Sequence, residues 1–290
     1  VGFGVAQGIK TMMLMTQLKV LTLVLASVLA TGGASWLALM QVAPKAAAQH
    51  PTTNPAAADQ VLIDRTTPQK AIESLIRAMK ASDRQKTCLC LGVDPNRPKT
   101  PMDAVVDLTL VENRLIRAGA KAFGGNGEQV RNALTIDGMA QMILASTLAV
   151  GNRPMINGDS ATLVIDLPEL AFPWLPEDFG LVFRLWQGKA IRFRKQDNQW
   201  IVDLDHTAHV EIVLFGQTSR ENTPIKDPNA QVVLLTEFVR IIDQMTEDIE
   251  QGRLKSPKAA KDATWPRLQQ VLDKQGPYVG LSCLVLPLDN

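Results

Sequence analysis

The sequence predicts an α+β chain: a single transmembrane helix followed by a cone-like domain of helices packed on a bent antiparallel sheet. Three observations lead there. Residues 20–40 form an uncharged apolar run, helical periodicity dominates residues 67–123, and short alternating runs bounded by turn residues fill 154–204. The 290 residues are 46% hydrophobic and 20% charged, with a formal net charge of +1. That composition excludes a disordered, collagen-like or disulfide-dense chain. The near-zero charge provides no electrostatic footprint for nucleic acid, so no direct nucleic-acid contact is expected.

The apolar run reads VLTLVLASVLATGGASWLALM, 21 residues without a charge. At 1.5 Å rise per residue, about 20 apolar residues cross a hydrocarbon core of ~30 Å. Lys10 and Lys19 precede it and no basic residue follows until Lys45, so the positive-inside rule leaves residues 1–19 as a cytoplasmic stub. Trp36 falls near the outer end, where an indole favours the membrane interface. The expected location is therefore a bacterial inner membrane, single-pass, with the C-terminal domain extracytoplasmic. A cleaved signal peptide, with Ala26-Ser27 or Ala46-Ala47-Ala48 as the small-residue site, and a buried soluble helix are the competing readings. Signal cores of ~7–15 residues are shorter than this run, which favours a retained anchor.

Val5-Ala6-Gln7-Gly8-Ile9-Lys10-Thr11-Met12-Met13 and Thr16-Gln17-Leu18-Lys19 resemble the junction that follows the DNA-binding region in some bacterial extracytoplasmic-function sigma factors. Those proteins carry an appended domain across the membrane. The resemblance covers about forty residues. It implies that the chain, which starts at Val1, is the C-terminal part of such a transcription regulator.

Residues 41–60 are rich in Ala, Pro, Thr and Gln and read as a flexible linker. The cone-like domain is expected over 61–215 and a C-terminal helical extension over 216–290. Thr67-Pro68 opens a first helix, with an N-cap followed by proline at the first helical position. Ile72, Leu75, Ile76 and Met79 make its apolar face, and Ser82-Asp83 ends it. Thr100-Pro101 opens a second helix by the same device, and Gly124-Gly125-Asn126-Gly127 breaks it. A third helical stretch covers 128–148.

Asn157-Gly158 is a hairpin signal between Pro154 to Ile156 and Ala161 to Ile165. Residues 181–186 read as another strand, 190–194 as the next, and Asp197-Asn198 turns the chain into 200–204. A helix is expected over 232–251, with Gly252 as its cap. Ser256-Pro257 opens a last helix, interrupted near Pro266.

Two segments resemble nuclear-transport-factor-two-like, or SnoaL-like, domains. One runs Thr67-Pro68-Gln69-Lys70-Ala71-Ile72-Glu73-Ser74-Leu75 through Lys80-Ala81-Ser82-Asp83. The other is Phe193-Arg194-Lys195-Gln196-Asp197-Asn198-Gln199-Trp200-Ile201-Val202-Asp203-Leu204. The resemblance implies a bent sheet wrapped round helices and enclosing a pocket. Independently of it, Trp174, Trp186 and Trp200 are read as filling the core or lining a pocket rather than stacking bases, with Trp186 and Trp200 the pocket candidates. Residues 168–178 depart from the pattern. The lone tyrosine, Tyr278, lies beyond the matched region, so no catalytic residue carries over.

Candidate chemistry concentrates in Asp203-Leu204-Asp205-His206-Thr207-Ala208-His209-Val210-Glu211. In a strand Asp203 and Asp205 share one face, and with His206 they make a candidate acid–base set. In a helical turn His206 and His209 share a face and make a candidate metal pair, zinc for example. A polar strand end with solvated side chains explains the same residues. Cys88-Leu89-Cys90 lacks redox spacing, and with Cys283 the choice lies between buried free thiols and one bridge to Cys283. No cofactor is implied.

The expected function is a membrane-anchored extracytoplasmic domain that binds a small apolar ligand or a protein partner, with a homodimer among the expected assemblies. A membrane-tethered SnoaL-like hydrolase or isomerase and a purely structural interaction module, its cone filled by side chains, are the alternatives. Enzymatic activity is not the leading expectation.

Overall fold

A computed structural model describes residues 62–94, 96–124, 152–166, 185–216 and 223–288. The described elements run α1 (Pro68–Lys80), α2 (Arg84–Leu91), α3 (Pro101–Phe123), β1 (Met155–Asn157), β2 (Ser160–Val164), β3 (Ala190–Gln196), β4 (Gln199–Val202), β5 (Ala208–Gly216), β6 (Thr223–Ile225), α4 (Pro228–Glu250), α5 (Pro257–Asp273) and β7 (Tyr278–Pro287).

Four of the five helices among the described residues start with proline behind a side-chain cap. Thr67, Thr100, Asp227 and Ser256 each accept a hydrogen bond from a first-turn backbone N–H. Proline costs nothing there, because its missing N–H has no intrahelical partner. α2 uses Asp83 as its cap and ends on Gly92 in the left-handed conformation. α5 continues through Pro266 to Asp273 without a break, contrary to the expected interruption.

Among the described residues the strands are all antiparallel and form two sheets, ordered β1-β2-β3-β4 and β6-β5-β7. This corrects the expectation of a transmembrane helix followed by one bent sheet. No described helix is long and apolar enough to cross a membrane. Residues 20–40 lie outside the described residues, as does the helix expected over 128–148. Leu185 and Trp186 are helical rather than extended, and the rest of the strand expected over 181–186 lies outside the described residues. The expected helical extension ends in β7, which pairs along its length with β5 and so shares a sheet with residues before 216.

On the first sheet, Leu163, Ile191, Phe193, Trp200 and Val202 share a face and are at most 3% exposed. The opposite face carries exposed Arg192 and Arg194, but beside them Ile201 is buried under Gly92. β4 is therefore covered on both sides, with α1 and α2 packed on it. The second sheet buries Ile212 opposite Cys283 and Leu214 opposite Leu281. The long helices α3 and α4 pack against each other, and α5 packs on β7. Each fully buried Leu or Ile in these layers is worth about 1.5–3 kcal/mol over exposure.

Candidate functional site

The turn that carries the candidate residues leaves β4 at Val202 and enters β5 at Ala208. Its shape is set by Thr207. The Thr207 hydroxyl donates to the Asp203 carbonyl (2.6 Å) and accepts from the Arg192 backbone N–H (3.1 Å). The Asp203 N–H donates to the Arg192 carbonyl (2.9 Å), and the Leu288 N–H donates to the Thr207 carbonyl (3.0 Å). One threonine thus fastens the turn to β3 and, through its own carbonyl, to the end of β7.

Because the chain turns here, Asp203 and Asp205 do not share a strand face. Asp203 is mostly buried; its carboxylate pairs with Arg194 Nε (3.3 Å) and with His206 Nδ1 (3.0 Å). Asp205 pairs instead with Arg97 Nη1 (3.4 Å). The His206 side chain is 71% exposed. An Asp–His pair orients the ring, but a ring in bulk water gains little as a general base, because nothing excludes solvent from the proton transfer. His209 is exposed on β5, opposite Leu286. Among the described residues no group of three His, Cys, Asp or Glu side chains is placed to hold a metal ion. Trp186 and Trp200 are 1% and 3% exposed and belong to the core, with the Lys195 ammonium 5.4 Å from the Trp200 ring centroid. Neither lines the cleft formed by Arg84, Cys88, Arg97 and Asp107.

Arg97 links this turn to a cluster that lies outside the candidate motif 203–211. It donates to Asp103 (2.9 Å) as well as Asp205, while its buried Nε has no hydrogen-bond partner among the described residues. Asp103 is also the reciprocal partner of Thr100 in the capping box of α3. One turn further along α3, mostly buried Asp107 receives Lys99 (2.7 Å) and Arg84 (3.3 Å). These groups and Cys88 line a small cleft of about 20 Å³, space for about one water molecule. Burial pushes Asp103 up, but the Thr100 N–H, the Arg97 guanidinium and the Thr100 hydroxyl outweigh it and hold the carboxyl below its ordinary value. Asp103 in turn raises Arg97. Burial raises the Cys88 thiol despite nearby Arg84, the reverse of an activated thiolate. Cys88, Cys90 and Cys283 are all free thiols, Cys90 and Cys283 buried and Cys88 partly so, which selects free thiols over the alternative of one bridge to Cys283.

The cluster is a set of ion pairs that staples α2, the start of α3 and the β4–β5 turn together. Its sequence signal was the spacing Arg97-x-Lys99-Thr100-x-x-Asp103-x-x-x-Asp107, with two carboxylates one turn apart on a capped helix and two cations just upstream. No family model matches this chain, and no curated protein or solved structure matches it either.

Proposed function

We propose that this chain is a protein-interaction module, held on the outer side of a membrane by the apolar stretch 20–40, that binds a partner on its surface. The observation that carries the reading is the filled sheet face. Leu163, Ile191, Phe193, Trp200 and Val202 are at most 3% exposed on one face of the first sheet, which favours a packed face over one open to a small apolar ligand. The placement of the candidate acid–base set supports the same side: its histidine stands in solvent and its carboxylates serve ion pairs. Function then rests on recognition by the surface rather than on conversion inside a pocket.

The N-terminal resemblance extends the proposal. In a chain like the C-terminal part of an extracytoplasmic-function sigma factor, a partner that prefers one state of the domain biases the anchored part, and so transcription. The test uses the full chain in cells and purified in mild detergent. Protease added outside intact spheroplasts is expected to digest the domain, and native mass spectrometry is expected to show the mass of the bare chain. An intact chain that stays in the aqueous fraction after detergent-free lysis overturns the placement. A stoichiometric small apolar ligand overturns the surface-binding reading.

A further inference from the structure

Where the chain enters the described domain, two large apolar side chains stand in solvent. Leu62 is 77% exposed and Leu89, on α2, is 47% exposed. Each has an arginine on its own carbonyl. Arg65 Nη1 donates to the Leu89 carbonyl, and Arg77 Nη2 donates to the Leu62 carbonyl (3.5 Å) and to Ser74 Oγ (3.1 Å). Neither arginine pairs with a carboxylate among the described residues. Of the carboxylates nearby, Asp64 is engaged by Lys70 (2.7 Å), which together with Thr66 holds it far below its ordinary value, and Glu73, one turn before Arg77 on α1, accepts from Gln69 (3.2 Å).

This exposure is built in rather than frayed. Buried Ser74 exchanges two 2.9 Å hydrogen bonds with the backbone of Asp64, and the Trp200 N–H donates to the Arg65 carbonyl (2.8 Å). The leading segment is thus fixed on α1 and on the edge of β4. Charge is also segregated: residues 62–99 hold eight basic and four acidic side chains in a chain of net charge +1. Leu62 lies 22 residues after Met40, so even a fully extended chain keeps it within about 75 Å of the apolar stretch.

We infer that Leu62, Arg65, Arg77 and Leu89 form a face that docks on anionic phospholipid headgroups. This rests on the membrane placement proposed above and adds to it an orientation for the domain. The leucines enter the headgroup–acyl boundary, and the two guanidinium groups meet lipid phosphate, whose charge complements theirs. A tethered domain needs only weak contacts to dock, because the tether keeps its local concentration near the surface high.

The full chain is reconstituted into phosphatidylcholine vesicles with and without phosphatidylglycerol. A polarity-sensitive dye is attached at Leu62→Cys in a Cys88→Ser background, where the remaining thiols, Cys90 and Cys283, are buried. Dye emission is expected to shift to the blue only on the anionic vesicles and to revert in 0.5 M salt, roughly the screening expected at a short Debye length. Arg65→Gln and Arg77→Gln each lower the docked-to-undocked ratio about fivefold. Arg65→Lys, which keeps the charge, retains most of it, and that separates lipid attraction from a structural role of the guanidinium. Equal emission on both vesicle types, with the chain floating with both, overturns the docking face alone. A chain that floats with neither overturns the membrane placement and this inference with it.

Discussion

Gly92 shows how one residue couples a helix end to a strand. Its φ of 62° is left-handed, and a Cβ there would sit 2.4 Å from Ile201 Cδ1 and 2.7 Å from Gln196 Oε1. Two separate requirements therefore select glycine: the αL cap and the close approach of the β3–β4 hairpin. Gly92→Ala is expected to destabilise by about 2 kcal/mol or more, from αL strain plus displacement of the fully buried Ile201. Urea unfolding checks this, and Gly92→Ala with Ile201→Val should recover part of the loss. An unchanged midpoint would show that the hairpin yields freely. Nothing local in the sequence marked Gly92, since its partner lies more than a hundred residues away. Asp197 and Asn198 were legible for the opposite reason. Their φ values of 51° and 60° make the primed two-residue turn that Asp and Asn tolerate, a requirement written entirely within the turn. Burial drives the thiol of Cys90 up to about 12, a property the spacing Cys88-Leu89-Cys90 does not encode.

Three helix starts are readable because cap and proline are adjacent in sequence, at Thr67-Pro68, Thr100-Pro101 and Ser256-Pro257, whereas the Asp227-Pro228 start lies four residues before the expected 232 and Asp83, read as a helix end, caps α2. The capping box of α3 adds a third member, Asp103, whose carboxylate accepts from the Thr100 N–H (2.8 Å) and hydroxyl (2.9 Å). Thr100→Ala removes the side-chain half of that box and is expected to cost about 1 kcal/mol, with Thr100→Ser close to neutral. The same box gives a pH dependence with a definite sign. The Asp103 carboxyl is lowered from 3.8 on folding, so its contribution is present above that value and fades as pH falls through the lower folded one. Asp103→Asn should therefore flatten the loss of stability below about pH 4 and lower stability at neutral pH. Thermal melts from pH 2 to pH 7 decide it; an acid limb identical to that of the parent chain would place the titration elsewhere. The strand and helical-turn templates for 203–211 both miss the change of state inside the segment: the hydrogen bonds of Thr207 fold 203–207 into a turn, and Ala208 to Glu211 continue as β5, with His209 exposed on it as a polar strand start implies.

At the scale of the whole molecule, the piece that escaped the sequence reading is the one that closes the second sheet. β7 (YVGLSCLVLP) is apolar on both faces, so it shows no period-two signal, and its partner β5 lies some seventy residues upstream. Leu281, Cys283 and Val285 turn to the core while Leu284 and Leu286 are half-buried, opposite Glu211 and His209. The strand also ties the chain's end to its middle, since the Leu288 N–H reaches the Thr207 carbonyl and Gln269 Nε2 reaches the Tyr278 carbonyl (2.7 Å). Ending the chain before Tyr278 would expose Ile212 and Leu214, remove a ladder running from Ala208 to Gly216, and leave α5 without its strand. β7 buries Leu281, Cys283, Val285 and Pro287, and of these Leu281 and Val285 alone are each worth roughly 1.5–3 kcal/mol, a large share of the ~5–15 kcal/mol net stability of a typical domain. The truncated chain is therefore expected to lose cooperative unfolding, with both sheets failing together because the β4–β5 turn fastens one to the other. Near-UV circular dichroism and urea denaturation of the truncated protein provide the measurement. A sharp transition at the parent midpoint would mean that the two sheets are held independently of β7.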